Sequence, residues 1–508
     1  MGFSKAKFGV GAVVLLVSGV ICKILGAFFR LPLTNLLGFE GIGVFQMIMT
    51  LYSFSLVLTS GGVCTTMAKL VSSALARQKY EKISTYFFRA ILIGVGSGLV
   101  VGILFAVLGR YVCDLQKIEQ NKSYLLFLFL LPAGAVISAI RGYFQGYGMM
   151  MPTAISQIVE QVTKFAFGLL FAFLFGKTGA AGGVFGAFFG IVLSEIVTTV
   201  LLFVWFGLKR EKVSFRQTVF EDKREFDKTN FLLVISSSII PLTKAFDGLV
   251  VVPRLMAAGF SSELAVRLFG LESGVVSAIL NLPLVFSVAI TTAILPNVSY
   301  AVSSGASSRK TIEKGLKLLL YSILPSVFGL VAISNQLLPL CYGGLDESSI
   351  GIVFNMMLFE GFFTVLFAVM QFLLVILQAN GKLKFIVLIE IIAGSVKMLL
   401  TFFLTSISSI NIYALIFGNI VLAAILCVGF LIECKKISNF SLEFSDLFVM
   451  LFSTVCMFYV VFAFLKSPKF GSVVDILVSV LLGVFVYVVF CIPFEIKLLP
   501  KKRRVKKV

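Results

Sequence analysis

The sequence predicts an all-α polytopic membrane protein: about 14 transmembrane helices, two six-helix lobes plus two C-terminal helices, both termini cytoplasmic. Three observations point there. The chain is very apolar, with a mean hydropathy of +1.06. Only 13% of its 508 residues are charged, against about a quarter in soluble proteins. Apolar runs of about 20 residues, each enough for the ~30 Å hydrocarbon core, recur from end to end. A transmembrane barrel would instead show alternating segments of about 10 residues.

The expected spans lie near 9–30, 41–64, 86–109, 123–141, 154–176, 179–208, 231–258, 271–295, 315–340, 350–377, 384–405, 410–433, 446–465 and 474–494. The N-terminal run mimics a signal peptide, but another apolar span follows it directly, so it reads as the first membrane helix. Between the fifth and sixth spans stands only "GKTGAAGG", which requires a tight turn.

Loop charge sets the orientation. With the N-terminus inside, the inside segments hold about 28 Lys and Arg and the outside ones about seven. The net charge of +19 would suggest nucleic acid in a soluble protein. Here the basic residues sit in short loops and in the tail "KLLPKKRRVKK". Membrane orientation accounts for them, and no nucleic-acid partner is expected. There is no histidine, and the eight cysteines show no ligand spacing. Cys113 and Cys341 lie outside the apolar spans, with nothing to suggest that they pair. No metal site and no cofactor is expected.

Weak internal matches recur near one offset. Val71-Ser72-Ser73 and Val302-Ser303-Ser304 are 231 apart, as are Lys23 and Arg254. "QGYG" and "QANG" are 233 apart, as are Lys164 and Lys397. An even number of helices separates the copies, so they share an orientation, as in parallel-repeat transporters. The expected division is 1–208 for the N-terminal lobe, 209–230 for a cytoplasmic linker, and 231–434 for the C-terminal lobe. Residues 435–508 hold the last two helices and a basic tail.

Charges within the spans are costly, ~2.5–3.5 kcal/mol each at the bilayer centre on insertion scales. Lys23 and Arg30 share one face of the first span, and Glu40 follows. Lys23 lies too deep to snorkel easily; Arg30 is near enough to the end to do so. In the seventh span, Lys244, Asp247 and Arg254 fall within roughly one face. Lys244 and Asp247 are placed to neutralise each other, which leaves Arg254 without a local partner. Glu160 and Lys164 are an i, i+4 pair; Glu390 and Lys397 pair less well, seven apart. Glu195 and Glu360 have no cation within a turn and are candidate proton or cation sites. The surplus of basic residues on the first helices of both lobes predicts a cationic cavity for an anion, with phosphate or pyrophosphate a good fit.

"RGYFQGYGMMMPTAISQIVEQ" reads as the end of the fourth helix, a turn, and the start of the fifth, with Pro152 in the first helical turn. Topology explains Arg141 and Tyr143. Gln145, Gln157, Glu160 and Gln161 either line the mouth of the cavity or bond one helix to another.

That stretch, with "LGFEGIGVFQMI" and "FDGLVVVPRL", resembles the multidrug/oligosaccharidyl-lipid/polysaccharide (MOP) flippase superfamily, in the stage V sporulation protein B and MurJ-like branch. The resemblance covers essentially the whole chain. It implies 14 helices, alternating access, and export of undecaprenyl-pyrophosphate-linked glycans, typically the peptidoglycan precursor lipid II. It also implies a groove for the lipid tail on the last two helices. "SGVICKILGAFFR" carries the family's cationic first-helix contacts to pyrophosphate onto Lys23 and, with one residue of slippage, Arg30; Glu40 corresponds to an acid after that helix. The better-known branch has an arginine in its second helix, where this chain reads "FSLVLTSGGVCTT". Another lipid-linked glycan is therefore an alternative substrate.

The substrate-binding set is thus Lys23, Arg30, Lys244, Arg254, Glu40 and Asp247. The cavity-lining or gating set is Arg141, Gln145, Gln157, Glu160, Gln161, Lys164, Glu390 and Lys397. The expected activity is transport, with no catalytic residue, driven by the membrane potential or a monovalent cation. The expected partners are a lipid-linked oligosaccharide, membrane lipids and the cell-wall synthesis machinery, for a monomer in the bacterial cytoplasmic membrane. The competing readings are a cation-coupled multidrug antiporter of the same superfamily and a membrane glycosyltransferase. The short outer loops offer the latter little beyond Asp114 and Glu119.

Overall fold

The computed structural model describes residues 5–209, 223–304, 306–441, 443–466 and 471–495, and among these there is no strand. Most of the expected 209–230 linker and the basic tail lie outside the described residues. Among the described residues, twelve helices are long and apolar enough to cross a membrane, or thirteen if Ser262–Leu280 and Leu284–Leu295 make one interrupted span. The first of the twelve, Val13–Ala76, holds both of the first two expected spans.

Helix α1 (Lys5–Ser60) changes direction at Gly38, whose φ of 71 and ψ of 174 are not helical. Glycine pays no Cβ penalty at positive φ, so one continuous run serves as two membrane segments. Then follow α2 (Val63–Ala76), α3 (Glu81–Gln116), a 3-10 turn, α4 (Phe127–Gly146), α5 (Met151–Gly176) and α6 (Ala180–Lys209). The second half begins with α7 (Lys223–Ala257) and α8 (Ser262–Gly270), a π turn (Leu271–Val276), α9 (Ser277–Leu280) and α10 (Leu284–Ser304). It ends with α11 (Arg309–Cys341), α12 (Glu347–Ala379), α13 (Leu383–Leu404), α14 (Tyr413–Ser438), α15 (Phe444–Leu465) and α16 (Ser472–Glu495). The eighth expected span is the interrupted one. Asn281, Leu282 and Pro283 stand at its break, where proline has no N–H to continue the ladder.

The chain forms two compact units: Met1–Ala278 with Leu383–Leu422, and Ile279–Lys382 with Ala423–Val508. In lipid, apolar surface alone does not drive helices together, so close approach and polar contacts do. The first unit shows this in α5 and α6, joined by the tight turn expected at 177–179. On α6 a Cβ at Gly186 would lie 2.1 Å from the Phe171 carbonyl oxygen, and one at Gly190 would lie 2.5 Å from the Phe167 carbonyl. Only glycine admits such backbone contact. The α3–α4 pair is built the same way, with Gly98 and Gly102 against the backbone at Leu131 and Leu128. Phe45, Tyr52, Phe127 and Phe188 fill the space between α1, α4 and α6.

In the second unit, Val449, Met457 and Val461 of α15 pack with Ala332 of α11 and Tyr487 of α16. Ion pairs Lys317–Asp446 and Lys382–Glu433 tie α11 to α15 and the α12 end to α14.

Candidate functional site

The first unit holds a chain of intramembrane charges. It starts on α4. Arg141 donates from Nε to Ser156 Oγ (2.9 Å) and from Nη2 to Glu160 Oε2 (2.7 Å), both on α5. This corrects two sequence readings. Glu160 is bound by Arg141 and not by Lys164, and Arg141 is a mostly buried link between helices rather than only an interfacial charge. The physical reason is reach: a guanidinium fork spans the α4–α5 gap and takes both acceptors at once. Lys164 instead places Nζ 5.9 Å from the centre of the Phe29 ring of α1, a cation–π distance.

Residues 157, 160, 161 and 164 recur at helical spacing and form a polar stripe on α5. Ser18 of α1 donates to Gln157 Oε1 at 3.3 Å, and Gln161 Oε1 lies 3.8 Å from where a Cβ of Gly26 would be. Gln157 thus bonds one helix to another, and Gln161 sits in the same seam. Gln145 is half-buried at the end of α4. Deeper in, Tyr52 donates to Glu195 of α6 at 3.3 Å. Buried Glu195 lies in the electrostatic field of Glu160, Arg141 and Lys164. Two acids and two bases therefore share this region.

A second cluster joins α7 to α13. Lys397 donates to Asp247 Oδ2 at 2.5 Å, with side chains only 1% and 8% exposed. Lys397 thus bonds Asp247 and not Glu390, which was expected to pair with it, while Lys244 adds its charge to the field at Asp247. Asp247 is buried while Lys244 is exposed on the same helix, so the Asp247 carboxylate takes its hydrogen bond from α13. Glu390 is buried as well, and its Oε2 has no hydrogen-bond partner. Glu272, on the π turn, is buried in the field of Asp247, Lys397, Lys244 and Arg30. It was not singled out from sequence; an acid inside an apolar span was the available signal. Glu360 is likewise buried, on α12 in the second unit.

Arg254, expected to lack a partner on its own helix, is bound at the end of α13. Its Nε donates to the Phe402 carbonyl (2.9 Å), its Nη2 donates to Ser406 Oγ (2.8 Å), and its guanidinium lies 4.2 Å from the Phe402 ring centre. Arg254 therefore hydrogen-bonds the Phe402 carbonyl in the last turn of α13, where carbonyls lose their partners within the helix. Glu40 is exposed beside Glu263 and Arg267, apart from Lys23, which lies seventeen residues earlier on α1. Arg30 is half-buried near Lys164 and Glu272. Lys23 is exposed on α1 and makes no ion pair with the described residues.

Residues 8–302 match the family described as "Polysaccharide biosynthesis protein". The chain is 25% identical over 354 residues to stage V sporulation protein B of Bacillus subtilis (strain 168), covering 67% of this chain and 68% of that one. It is 22% identical over 418 residues to the lipid II flippase MurJ of the same organism, covering 77% and 76%. In three dimensions it is similar to a structure of the lipid II flippase MurJ in an inward closed conformation: TM-score 0.74, 15% identity, 96% of this chain and all (100%) of that one. It is also similar to an inward-facing multidrug resistance MATE family transporter: TM-score 0.64, 14% identity, 84% and 98%. With a match over more than half its length and the fold of MOP-superfamily transporters, the chain belongs to the polysaccharide biosynthesis protein family.

Proposed function

We propose that this multi-pass membrane protein is a flippase for a lipid-linked glycan, with an undecaprenyl-pyrophosphate-linked precursor of the lipid II class as substrate. The observation that carries the reading is Lys23. Arg141 and Lys397 are held by acids, and Arg254 is held by α13. Lys23 is exposed and makes no ion pair with the described residues, so its charge is available to an anion. Arg30, seven residues on, adds a second basic group on that helix face. A guanidinium there grips phosphate oxygens in a fork and an ammonium binds them as a point charge.

The cycle is alternating access. The anionic headgroup enters from the cytoplasmic leaflet, neutralises Lys23 and Arg30, and leaves on the far side. An inside-negative potential favours that direction by ~2.3 kcal/mol per elementary charge at 100 mV. The kinship to MurJ and to stage V sporulation protein B supports a lipid-linked substrate.

The test is reconstitution of the purified chain in liposomes with a fluorescently labelled undecaprenyl-pyrophosphate-linked sugar in the inner leaflet. Headgroup appearance outside, dependent on the protein and on Lys23, supports the reading. Export of a cationic dye instead, with no headgroup movement, overturns it in favour of a multidrug transporter.

A further inference from the structure

Along one side of the first unit, α1, α3 and α7 leave a cleft of about 780 Å³, within the ~300–1,000 Å³ of small-molecule sites. Its α7 wall runs from Asp227 through Asn230 and Ile235 to Leu242. At 1.5 Å per helical residue that is roughly 22 Å, more than the ~15 Å depth of half a bilayer core. Leu58 of α1 and Ile93 of α3 face this wall.

Polarity is graded along the cleft. At one end Arg89 of α3 grips Asp227 through two hydrogen bonds, 2.9 and 2.7 Å, and both side chains stay partly exposed, 24% and 39%. One turn on, Asn230 is only 7% exposed, with its Oδ1 turned against Gly62 at the start of α2. Toward Ile235 and Leu242 the lining is mostly hydrocarbon, which stays dry unless another hydrocarbon enters.

We propose that this cleft binds one chain of a glycerophospholipid with a phosphoethanolamine headgroup. The hydrocarbon lies along α7. The ammonium faces the Asp227 carboxylate, and the phosphate faces the Arg89 guanidinium. The neighbouring positive and negative groups of Arg89 and Asp227 match the phosphate and ammonium in charge. A pyrophosphate head without an ammonium leaves Asp227 opposed by like charge, so the cleft is not a second seat for the flippase substrate. The proposal is separate from the flippase reading, because its test reads binding and not transport.

The full-length protein is placed in nanodiscs with phosphatidylethanolamine bearing a photoactivatable diazirine in its acyl chain, and crosslinks are mapped by mass spectrometry. Crosslinks on α1, α3 and α7 around Leu58, Ile93 and Ile235 are expected. Ile235→Trp, which fills the cleft, is expected to lower them at least about tenfold, at ~1.4 kcal/mol per decade, and to leave labelling of α15 and α16 unchanged. Should Ile235→Trp lower the melting temperature, Leu58→Phe with normal melting serves in its place. Arg89→Gln with Asp227→Asn is expected to reduce labelling by phosphatidylethanolamine about three- to tenfold, the effect of a net hydrogen bond or two, and to abolish its advantage over phosphatidylglycerol. Labelling spread evenly over all lipid-facing helices and unmoved by these variants overturns the proposal. So does displacement of the probe from the cleft by a polyprenyl pyrophosphate in preference to phosphatidylethanolamine.

Discussion

Lys397 of α13 and Asp247 of α7 form an ion pair of 2.5 Å that is almost wholly buried. The two residues are 150 positions apart in sequence, so the pair pins α13 to α7 within the first unit. Removing one partner leaves a buried charge unmatched, at a cost of about 3–5 kcal/mol. Asp247→Asn or Lys397→Met alone is expected to lower the melting temperature sharply, and the double variant to regain most of it. A thermal-unfolding double-mutant cycle in detergent decides this; additive losses would show that the pair is not coupled.

The Arg141–Glu160 contact gives a second cycle. Its coupling energy is expected to exceed about 1 kcal/mol, as for a charge-assisted bond. Glu160 with Lys164 is expected to show less than about 0.5 kcal/mol, as for an i, i+4 pair. A larger coupling to Lys164 would restore the intrahelical pairing read from sequence.

Lys23 is expected to matter for transport and not for stability. Lys23→Gln removes an exposed charge, so its melting temperature should stay within the small range of surface substitutions, about ±0.5 kcal/mol. Headgroup translocation in liposomes should fall roughly ten- to hundred-fold, the loss of a charge-assisted contact of ~1.5–3 kcal/mol. Lys23→Arg should retain much of it. Normal flipping by Lys23→Gln would remove the anion site from α1.

Gly190→Ala adds a Cβ 2.5 Å from the α5 backbone, where no side chain can swing aside. A loss of about 1–3 kcal/mol is expected, as for overpacking. Gly96→Ala is the control, since its Cβ would meet nothing within 4 Å. Equal melting of the two variants would contradict the backbone contact.

Both termini are expected in the cytoplasm. In a protein freed of its eight native cysteines, Ser214→Cys in the central linker should resist an impermeant thiol reagent in intact cells. Labelling there would reverse the topology.

Much of this was legible in the sequence. Apolar run length gave the spans because a lipid-crossing helix must bond its own backbone. The α5–α6 turn, the helix start at Pro152 and the charged positions other than Glu272 were plain. The partners of those charges were not. Arg141 and Glu160 are 19 apart and Lys397 and Asp247 150 apart, and nothing local distinguishes such a pairing from the nearer ones at i+3 or i+4. Burial decides, and burial is a property of packing. The Gly186–Gly190 spacing fits a small-xxx-small contact, but nothing in the sequence points to α5 as its partner.

The α5–α6 contact also bears on how the protein enters the bilayer as it is made. A lone α5 would carry Glu160 and Lys164 into lipid, each charge costing ~2.5–3.5 kcal/mol at the bilayer centre. The turn at 177–179 leaves three residues between α5 and α6. Gly186 and Gly190 let their backbones touch, and Ser194 of α6 donates to the Glu160 carbonyl at 2.8 Å. The two helices thus suit release from the insertion machinery as one hairpin. Arg141, on the preceding α4, is already synthesised and ready to cover the Glu160 carboxylate. The order of synthesis then hands each costly charge a partner before lipid surrounds it.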